Sequence, residues 1–494
     1  MREHLFHLPT ESGASLQSQL REMVVRVILD GHLPAGTPLP SCRRLAKQLG
    51  VARNTVMLAY QQLVDEGYLL ARERSGYYVN GDILEGRVRR TAPPPHEQSQ
   101  TRGIFAPAWE YRLVEYPSRQ RNIDKPRDWQ RYRYPFIYGQ VDLALFPVNE
   151  WRECARQALS VGAIRRWASD SIDTDDPELI EQIHTRVLPR RGVWAAPEEI
   201  LVTVGAQQAL FLLAELLVHP DTVVGLEEPG YPDARNIFAR KTSRLEALDV
   251  DSAGLVPSGN LDTCDYVFTT PSHQSPTTVT MSLQRRREVL RRAADADFVV
   301  IEDDYESEFN YGGEPTPALK SLDRGERVIY VGSLSKTLAP GLRIGFMIGP
   351  RELIREARAL RRLMLRHPAS NNQRAVALFL SHGHHDSLVR RMSHTFRERW
   401  QAMHDALNEH LPGAATMPTF GGTSFWVQGP ENLDASELGN LAAERGVLIE
   451  RGDVNFFRDP PPRNAFRLGF SSIPTEYIEP GVAEIGQLVR QLTA

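Results

Sequence analysis

The stretch "SLSKTLAPGLRIG", residues 333–345, places a lysine among groups that bind phosphate. Lys336 follows the apolar run "VIYVGS"; Ser333 and Ser335 precede it, and Arg343 lies further along the same loop. A lysine amine can condense with an aldehyde, while nearby hydroxyl and guanidinium groups can hold a phosphate on the same molecule. Because a lone lysine is usually a solvated charge, the prediction of a covalently bound phosphorylated aldehyde needs support from other segments.

The run "VVIEDDYESEF", residues 299–309, supplies an acid at the end of a predicted strand. Pyridoxal phosphate is a phosphorylated aldehyde that needs an ionised carboxylate beside its ring nitrogen, because the protonated ring then withdraws electrons. We assign Asp303 to this nitrogen and Tyr305 to the ring hydroxyl. Asp304 replaces Asp303 if the strand register is shifted by one residue. Acidic strand ends also bind metals, but no histidine or cysteine stands nearby, and we predict no metal site.

Two further segments complete the predicted cofactor site. In "TVGAQQAL", residues 203–210, a strand, a glycine turn and a helix start follow one another, so the N–H groups near Ala206 and the Gln207 side chain can hold a phosphate. In "EEPGYP", residues 227–232, Tyr231 sits on a rigid turn and can stack on a flat ring. A tyrosine in a turn is more often simple packing, so the prediction depends on the conjunction of all the segments.

The elements that position these residues form a repeating pattern from about residue 135 onward. Helical stretches alternate with short β-branched runs, which predicts a mainly parallel sheet covered by helices. Beyond about residue 371 the strand candidates "GTSFWVQ" and "AFRLGF" mix with helices, which predicts a second, smaller lobe. The strand candidates of the main sheet are "EEILVTV", "TVVGLEE", "YVFTTP", "DFVVIEDD" and "RVIYVGS".

Taken in this order, the segments resemble the fold type I pyridoxal-phosphate enzymes of the aspartate aminotransferase superfamily. By that resemblance Arg467 in "AFRLGF" matches the arginine that pairs with a substrate carboxylate. Two positions depart from the common pattern: Ser275 stands where many aminotransferases have asparagine, and Thr278 replaces a usual glycine. The resemblance implies cofactor binding, and these departures bear on how well the chain transaminates.

The first 80 residues read differently, as three helices followed by a β-hairpin. Apolar spacing predicts helices over residues 15–30, 41–50 and 52–67, and "YLLARERSGYYV" predicts two short strands. Eight Lys and Arg against five Asp and Glu give residues 12–80 a net charge of +3, while the whole chain carries −4. A local basic patch of this kind suits DNA, and the alternative is a three-helix interaction module with a solvated basic face.

The wording "LPSCRRLAKQLGVARNTVMLAYQQLVDEGYL" closely resembles the winged helix-turn-helix of GntR-type bacterial transcription factors. The predicted recognition helix exposes Asn54, and Ala52 stands where a capping serine is common. We therefore predict that this region binds double-stranded DNA. The other residues that the resemblance places at or near DNA are Ser41, Arg43, Arg53, Thr55 and Gly76.

The chain is therefore predicted to be a multidomain protein: a winged helix-turn-helix at 12–80, a linker at 81–130 and an α/β fold type I aminotransferase-like body at 131–494. The large lobe of the body covers about 150–370 and the small lobe about 371–494. The polar, proline-bearing run "EGRVRRTAPPPHEQSQTRG" indicates the linker. Three scattered cysteines argue against a disulfide framework, and no apolar run is long enough to span a membrane, which favours a cytoplasmic protein.

A GntR-type head, a linker and an aminotransferase-like body together resemble the MocR (GabR-like) family of bacterial regulators. The resemblance implies a domain-swapped, head-to-tail homodimer in which an amine displaces Lys336 from pyridoxal phosphate, forms an external aldimine and alters promoter binding. Arg467 favours an amino acid or amino sulfonate, such as taurine or an ectoine-derived diamino acid. Asp233 stands where GABA-sensing relatives have an arginine, which argues against GABA. Pyridoxal phosphate itself is another candidate signal.

Two other hypotheses remain open from the sequence. The first is an active aminotransferase with an accessory DNA-binding head, motivated by the nearly complete cofactor site. The second is a binding module that has lost its cofactor.

Overall fold

The computed structural model describes residue 6 and residues 15–73, 75–84, 109–170, 173–311, 316–415 and 421–494. The chain divides into two compact units, Met1–Glu115 and Tyr116–Ala494. Residues 12–14 of the predicted head and 85–108 of the predicted linker lie outside the described residues. Residues 116–130, which sequence reasoning assigned to the linker, belong to the second unit.

The first unit contains the three helices and the hairpin that the sequence predicts. The helices are α1 (Leu16–Leu29), α2 (Cys42–Leu49) and α3 (Arg53–Asp65), and the antiparallel hairpin pairs β1 (Leu69–Arg72) with β2 (Gly76–Val79). Its core forms because the apolar positions of each helix fall on one face, which is then fully buried. The fully buried members include Leu20, Val24, Ile28, Leu45, Val56, Ala59, Tyr60 and Leu63.

The turns and caps of this unit explain where its helices begin and end. The Ser15 hydroxyl accepts a hydrogen bond from the Ser18 N–H at the start of α1, and Ser41 does the same for the Arg44 N–H at the start of α2. Gly50 ends α2 in the left-handed conformation, with φ of +68°. Ala52 begins α3 with extended backbone angles but offers no side-chain oxygen to its free N–H groups. The cap of α3 is therefore incomplete, as the sequence predicted.

The second unit is built on an eight-stranded sheet. In spatial order its strands run β4, β11, β10, β9, β8, β5, β6 and β7. The five central strands are mutually parallel, whereas β11 is antiparallel to β10 and β4, and β7 is antiparallel to β6. The bounds are β4 Ile200–Thr203, β5 Val224–Glu228, β6 Leu245–Asp251, β7 Gly254–Leu255, β8 Tyr266–Thr269, β9 Val299–Asp304, β10 Val328–Ser333 and β11 Gly345–Ile348.

Helices cover this sheet and connect its strands. Strands β4, β5, β8, β9 and β10 are almost entirely buried and show no alternation, as is typical of a parallel sheet with both faces covered; β5 and β9 end in buried carboxylates. The described helices up to residue 381 are α4 Val148–Ala158, α5 Val161–Trp167, α6 Pro177–Gln182, α7 Ala206–Leu217, α8 Pro232–Phe238, α9 Leu283–Ala296, α10 Leu319–Leu322, α11 Arg351–Leu365 and α12 Ser370–Ser381.

The last part of the chain forms a smaller three-stranded antiparallel sheet with its own helices. Its order is β12, β15, β14, and two further short strands, β3 and β13, pair in parallel. The strands predicted from "GTSFWVQ" and "AFRLGF" are confirmed as β12 and β15. The bounds are β3 Tyr134–Pro135, β12 Ser424–Gln428, β13 Val447–Leu448, β14 Glu450–Arg451, β15 Ala465–Gly469, α13 His384–His410, α14 Ala435–Glu444 and α15 Ile478–Thr493.

The predicted fold class is confirmed, with three strands of the large sheet that the sequence pattern did not predict. The sheet gains the polar strand β6, the two-residue strand β7 and the antiparallel strand β11, whose first residue, Gly345, comes two residues after Arg343. None of the described helices is both long enough and apolar enough to cross a bilayer.

Candidate functional site

The predicted cofactor residues lie together at one edge of the large sheet. Asp303 and Ser333 lie at the carboxyl ends of β9 and β10, and Tyr231 follows β5 by a short turn. Arg343 precedes β11, whose first residue, Gly345, pairs with Ser333 because β11 is antiparallel. Ligands of open α/β sheets bind outside the carboxyl ends of the parallel strands, so this edge is where such a site is expected.

One cavity of about 160 Å³ lies at this edge. Every residue that the sequence assigned to cofactor binding lines it. Four other residues share the lining, and sequence reasoning did not assign them. The predicted members are Ala206, Gln207, Tyr231, Asp303, Tyr305, Ser333, Ser335, Lys336 and Arg343, and the added members are Tyr138, Thr270, Ser275 and Pro340.

Lys336 extends from the loop after β10 into this cavity. Its Nζ lies 4.0 Å from the centre of the Tyr138 ring. Gly139 makes this approach possible: its φ is +74°, and a Cβ atom there would stand 2.5 Å from the lysine Nζ. Burial lowers the pKa of the Lys336 amine to about 8, with the Glu306 carboxylate opposing the shift and the Lys125 charge adding to it. An amine with such a pKa is a ready nucleophile at neutral pH.

The two candidate acids at the end of β9 have different surroundings. Asp304 accepts hydrogen bonds from Arg191 Nε at 2.7 Å and from the Tyr330 hydroxyl at 2.8 Å, so it is a structural ion-pair partner. Asp303 lines the cavity, and its Oδ1 is buried without a hydrogen-bond partner among the described residues. Burial, and next the Asp304 charge, raises the pKa of Asp303 to about 7. Its position therefore favours Asp303 over Asp304 as the acid for a cationic ring nitrogen.

A second part of the cavity is suited to an anion. Gly205 has φ of +77°, and a Cβ atom there would lie 2.7 Å from Arg343 Nη2, so the guanidinium crosses directly beside the turn. Arg343 Nη2 also donates to the Val204 carbonyl at 3.0 Å. The first N–H groups of the twelve-residue helix α7, beginning at Ala206, have no partners within the helix. The Ser335 hydroxyl is buried without a partner among the described residues.

These features fit pyridoxal phosphate group by group. The Lys336 amine suits the aldehyde, the unpartnered Asp303 oxygen suits the ring nitrogen, and Arg343 with the start of α7 suits the phosphate. Tyr231 and Tyr305 line the walls, where aromatic rings can contact a flat heterocycle. Tyr231 also donates from its hydroxyl to Asp233 Oδ2 at 3.0 Å, which orients its ring.

The loop after β8, residues 270–280, is held by one buried carboxylate. Glu227 accepts hydrogen bonds from the Thr270 hydroxyl at 2.7 Å and from Gln274 Nε2 at 3.1 Å. In turn Thr270 Oγ1 accepts from the Ser275 N–H at 2.9 Å, so Ser275 is fixed where it lines the cavity. Thr278 has φ of +63°, which explains why a glycine is usual at this position.

Arg467 does not present an unpaired guanidinium. Its Nε and Nη2 both donate to Glu450 Oε2, at 2.9 and 2.5 Å, and its guanidinium carbon lies 4.2 Å from the centre of the Tyr138 ring. The pairing of β14 with β15 brings these two side chains together, because Glu450 lies directly opposite Arg467 in the register of the two strands. Sequence reasoning placed Arg467 near the site but missed Glu450, since its strand β14 is only two residues long.

In the first unit, the predicted DNA-contacting residues lie on α2, α3 and the hairpin. Arg43, Arg53 and Asn54 are exposed, whereas Thr55 is half-buried. Ser41 is engaged as the cap of α2, and Gly76 opens β2 with φ of +109°. Tyr60 ties α3 to the turn before α2, since its hydroxyl donates to the Pro40 carbonyl at 3.1 Å. Arg53 and Asn54 therefore lie on the exposed face of α3 within the first unit.

Comparisons with known proteins agree with both parts of the chain. The family profile of bacterial regulatory proteins of the gntR family matches residues 16–79, and that of aminotransferase class I and II matches residues 139–485. The chain is similar to LysN, the alpha-aminoadipate aminotransferase from Thermus thermophilus solved with N-(5'-phosphopyridoxyl)-L-leucine. That likeness has a TM-score of 0.70 and 26% identity and covers 78% of this chain and 99% of LysN.

Full-length relatives combine the same two parts. The chain is 43% identical to the HTH-type transcriptional regulator TauR of Rhodobacter capsulatus, covering 99% of both chains. It is 30% identical to the probable rhizopine catabolism regulatory protein MocR of Rhizobium meliloti, covering 96% of this chain and 94% of that protein. With a GntR-type head followed by an aminotransferase-like body along its whole length, the chain belongs to the MocR/GabR-type family of bacterial transcriptional regulators.

Proposed function

We propose that this regulator binds pyridoxal phosphate through Lys336. When an amine with an acid group enters the cavity, the way in which the regulator binds promoter DNA changes. Pyridoxal phosphate supplies an aldehyde that a lysine amine can bind and that an incoming amine can take over. The observation that supports the proposal is one cavity in which the Lys336 amine, the unpartnered Asp303 carboxylate oxygen and the turn beside Arg343 converge.

Each residue has a stated part in this proposal. Lys336 provides the neutral amine, and Asp303 holds a proton on the ring nitrogen. Arg343, Ser333, Ser335, Ala206 and Gln207 hold the phosphate, Tyr231 contacts the ring face, and Tyr305 the ring hydroxyl. Arg467 attracts the acid group of the effector, for which amino acids and amino sulfonates such as taurine, or an ectoine-derived diamino acid, are the candidates. The Asp233 carboxylate beside Tyr231 disfavours GABA.

We further propose that the regulator acts in the cytoplasm as a homodimer, domain-swapped and head to tail, on two half-sites of promoter DNA. Membership of the family and the DNA-binding character of the head support this assembly. Such a switch requires that the effector bind the two arrangements of the protein with different affinity.

The first test is the visible absorption spectrum of the purified protein with added pyridoxal phosphate. We expect an absorption band of the lysine-bound cofactor that is absent in Lys336→Ala and retained in Lys241→Ala. Lys241 is the matched control because it pairs with Glu215 at 2.9 Å, outside the residues that line the cavity. If Lys336→Ala keeps both the band and regulation, the body senses something other than a lysine-bound cofactor.

An active aminotransferase with an accessory head is the second candidate, and the complete cofactor lining supports it. The two candidates differ in turnover. A regulator changes its spectrum once and then stays in the new state, whereas an enzyme converts many equivalents of amino donor and keto acid. Counting product molecules per chain over hours therefore separates them.

A further inference from the structure

The residues that follow the first unit along the chain bond to two groups of residues that lie next to the cavity. We call residues 120–125 the tether segment. Asn122 Nδ2 donates to Asp233 Oδ1 at 2.5 Å, and the Arg121 carbonyl accepts from Arg235 Nη2 at 3.0 Å. Asp233 is the residue that orients Tyr231. One end of the tether segment is thus bonded to the helix that begins beside the predicted ring contact.

The other end of the tether segment reaches the predicted effector-binding arginine. Lys125 Nζ lies 3.2 Å from Glu450 Oε1 and donates to the Tyr138 carbonyl. Glu450 Oε1 also accepts from the Tyr138 N–H at 3.0 Å, while Glu450 Oε2 accepts both bonds from Arg467. Lys125, Glu450 and Arg467 therefore form a continuous ion chain around Tyr138, which itself lines the cavity.

The charges in this chain do not cancel. Within this chain two cations, Lys125 and Arg467, flank the single Glu450 carboxylate, while the buried Glu306 carboxylate, which also acts on Arg467, offsets part of the positive charge. Arg467 Nε and Nη2 both donate to Glu450. Its Nη1 makes no hydrogen bond to any described residue. Lys125 has three N–H donors and uses two of them, one on Glu450 and one on the Tyr138 carbonyl. The excess charge and the remaining donors suit one anionic group.

We propose that Lys125 is a second cationic contact for the effector's acid group, and that the Lys125–Glu450–Arg467 chain transmits occupancy of the cavity to the tether segment. The inference rests on the proposed function, since it concerns the effector of the same cavity. An acid group on Arg467 competes with Glu450, and Glu450 then depends more on Lys125. An amine without an acid group does not compete for Arg467, so it leaves the Lys125–Glu450–Arg467 contacts unchanged.

This arrangement gives Lys125 a role in the regulatory response as well as in binding. The tether segment begins five residues after the end of the first unit, so a change in how firmly it is held alters the part of the chain that leads to the head. Its bonds to Asp233 and Glu450 join the ring-contact side and the acid-binding side of the cavity.

The experiment compares acid-bearing and acid-free amines on the full chain loaded with pyridoxal phosphate. The probes are taurine, β-alanine, 2,4-diaminobutyrate and ethylamine, with the visible spectrum for binding and hydrogen exchange of peptides covering residues 116–133 for the tether segment. We expect at least one acid-bearing amine to change the spectrum and slow exchange in these peptides. Ethylamine should leave exchange unchanged. Equal effects of ethylamine and the acid-bearing amines on exchange would overturn the inference.

Two variants with opposite expected effects sharpen the test. Lys125→Met should raise the half-saturating concentration of the acid-bearing amine about tenfold, the worth of one charge-assisted hydrogen bond, and leave that of ethylamine unchanged. Glu450→Gln should lower the same concentration about tenfold, because Arg467 loses its competing carboxylate. Lys241→Met serves as the control for loss of a paired lysine. Variants that shift both classes of amine equally would contradict the inference.

A readout without any ligand separates this inference from the proposed function. Lys125→Met should speed hydrogen exchange at residues 116–133 in the cofactor-free chain, and Lys241→Met should not; equal exchange would contradict the inference. If a cofactor band forms but no amine of the panel changes it, the inference fails while cofactor binding stands. If no band forms, the proposed function itself fails.

Discussion

At the scale of single residues, burial shifts the two central groups of the cavity toward their neutral forms. The pKa of Lys336 is lowered to about 8, and that of Asp303 is raised to about 7, because a buried site disfavours charge on either group. The amine thus becomes nucleophilic near neutral pH. The Asp303 carboxylate gains most when a cation arrives next to its unpartnered oxygen. Both shifts prepare the cavity for an aldehyde that carries a basic ring nitrogen.

Covalent loading of pyridoxal phosphate should follow the titration of Lys336. Only the unprotonated amine attacks an aldehyde, so the loading rate should rise about tenfold per pH unit below 8 and level off above it. Glu306→Gln should move this midpoint to lower pH, because the Glu306 carboxylate raises the pKa of Lys336. Stopped-flow absorbance between pH 6 and 10 measures both, with Glu153→Gln, a half-buried carboxylate paired with Arg156 outside the cavity lining, as control. A midpoint near the ordinary lysine value would contradict the assignment.

At the scale of elements, the helix starts of the head show how local chemistry sets stability. Helix α2 has a serine cap, while α3 begins at Ala52 with suitable backbone angles but without a side-chain acceptor. Helix α3 is held instead by tertiary contacts, including the Arg21–Glu66 ion pair at 2.9 Å and the buried Tyr60. Packing therefore offsets a missing cap, as it does for many short helices.

Restoring the cap of α3 should stabilise the head. Ala52→Ser is expected to raise its free energy of unfolding by about 1 kcal/mol, because a serine hydroxyl can accept from the free N–H groups. Ser41→Ala should lower it by about 1 kcal/mol through loss of the bond from the Arg44 N–H. Calorimetry of the full chain, following the transition of the head, measures both. A lower transition temperature for Ala52→Ser would show that α3 starts elsewhere.

At the scale of the whole molecule, charge is distributed unevenly. The chain carries −4 overall, while residues 12–80 carry +3 from eight basic and five acidic residues. General electrostatic attraction of the whole protein to DNA is therefore weak, and contact depends on the head. Most of the negative charge lies in the body, which contains the cavity for the small molecule. This separation suits a regulator in which sensing and DNA binding reside in different units.

The exposed arginines of the head should differ in how they contribute to DNA binding. Arg53→Ala, on the exposed start of α3, should cost about 1–3 kcal/mol and relax sequence preference if it contacts a base edge. Arg43→Ala should weaken all sequences alike and reduce the salt dependence by about one ion. Fluorescence anisotropy with DNA from upstream of the protein's own gene tests both, against Arg131→Ala in the body. Unchanged binding in both variants would contradict this interface.

Much of the fold and most of the cavity could be predicted from the sequence alone. The three helices of the head, the parallel strands and the lysine loop all leave local patterns, because one-sided burial imposes a period and a turn demands particular residues. Lys336, Asp303, Arg343 and Ala206 lie beside such patterns, at strand ends or a helix start. Local rules were sufficient to bring these residues to one edge of the sheet.

Only the tertiary structure decided which charged groups pair with one another. Asp303 and Asp304 are neighbours in sequence, yet in the folded chain Arg191 pairs with Asp304, whereas Asp303 lines the cavity and its Oδ1 has no partner among the described residues. Glu450 lies on a two-residue strand, and it bonds Tyr138, 312 positions away in the sequence. Lys125 falls in a stretch without periodicity. Pairings of this kind depend on strand register and long-range packing, which no local pattern records, and they determine how the cavity is connected to the rest of the chain.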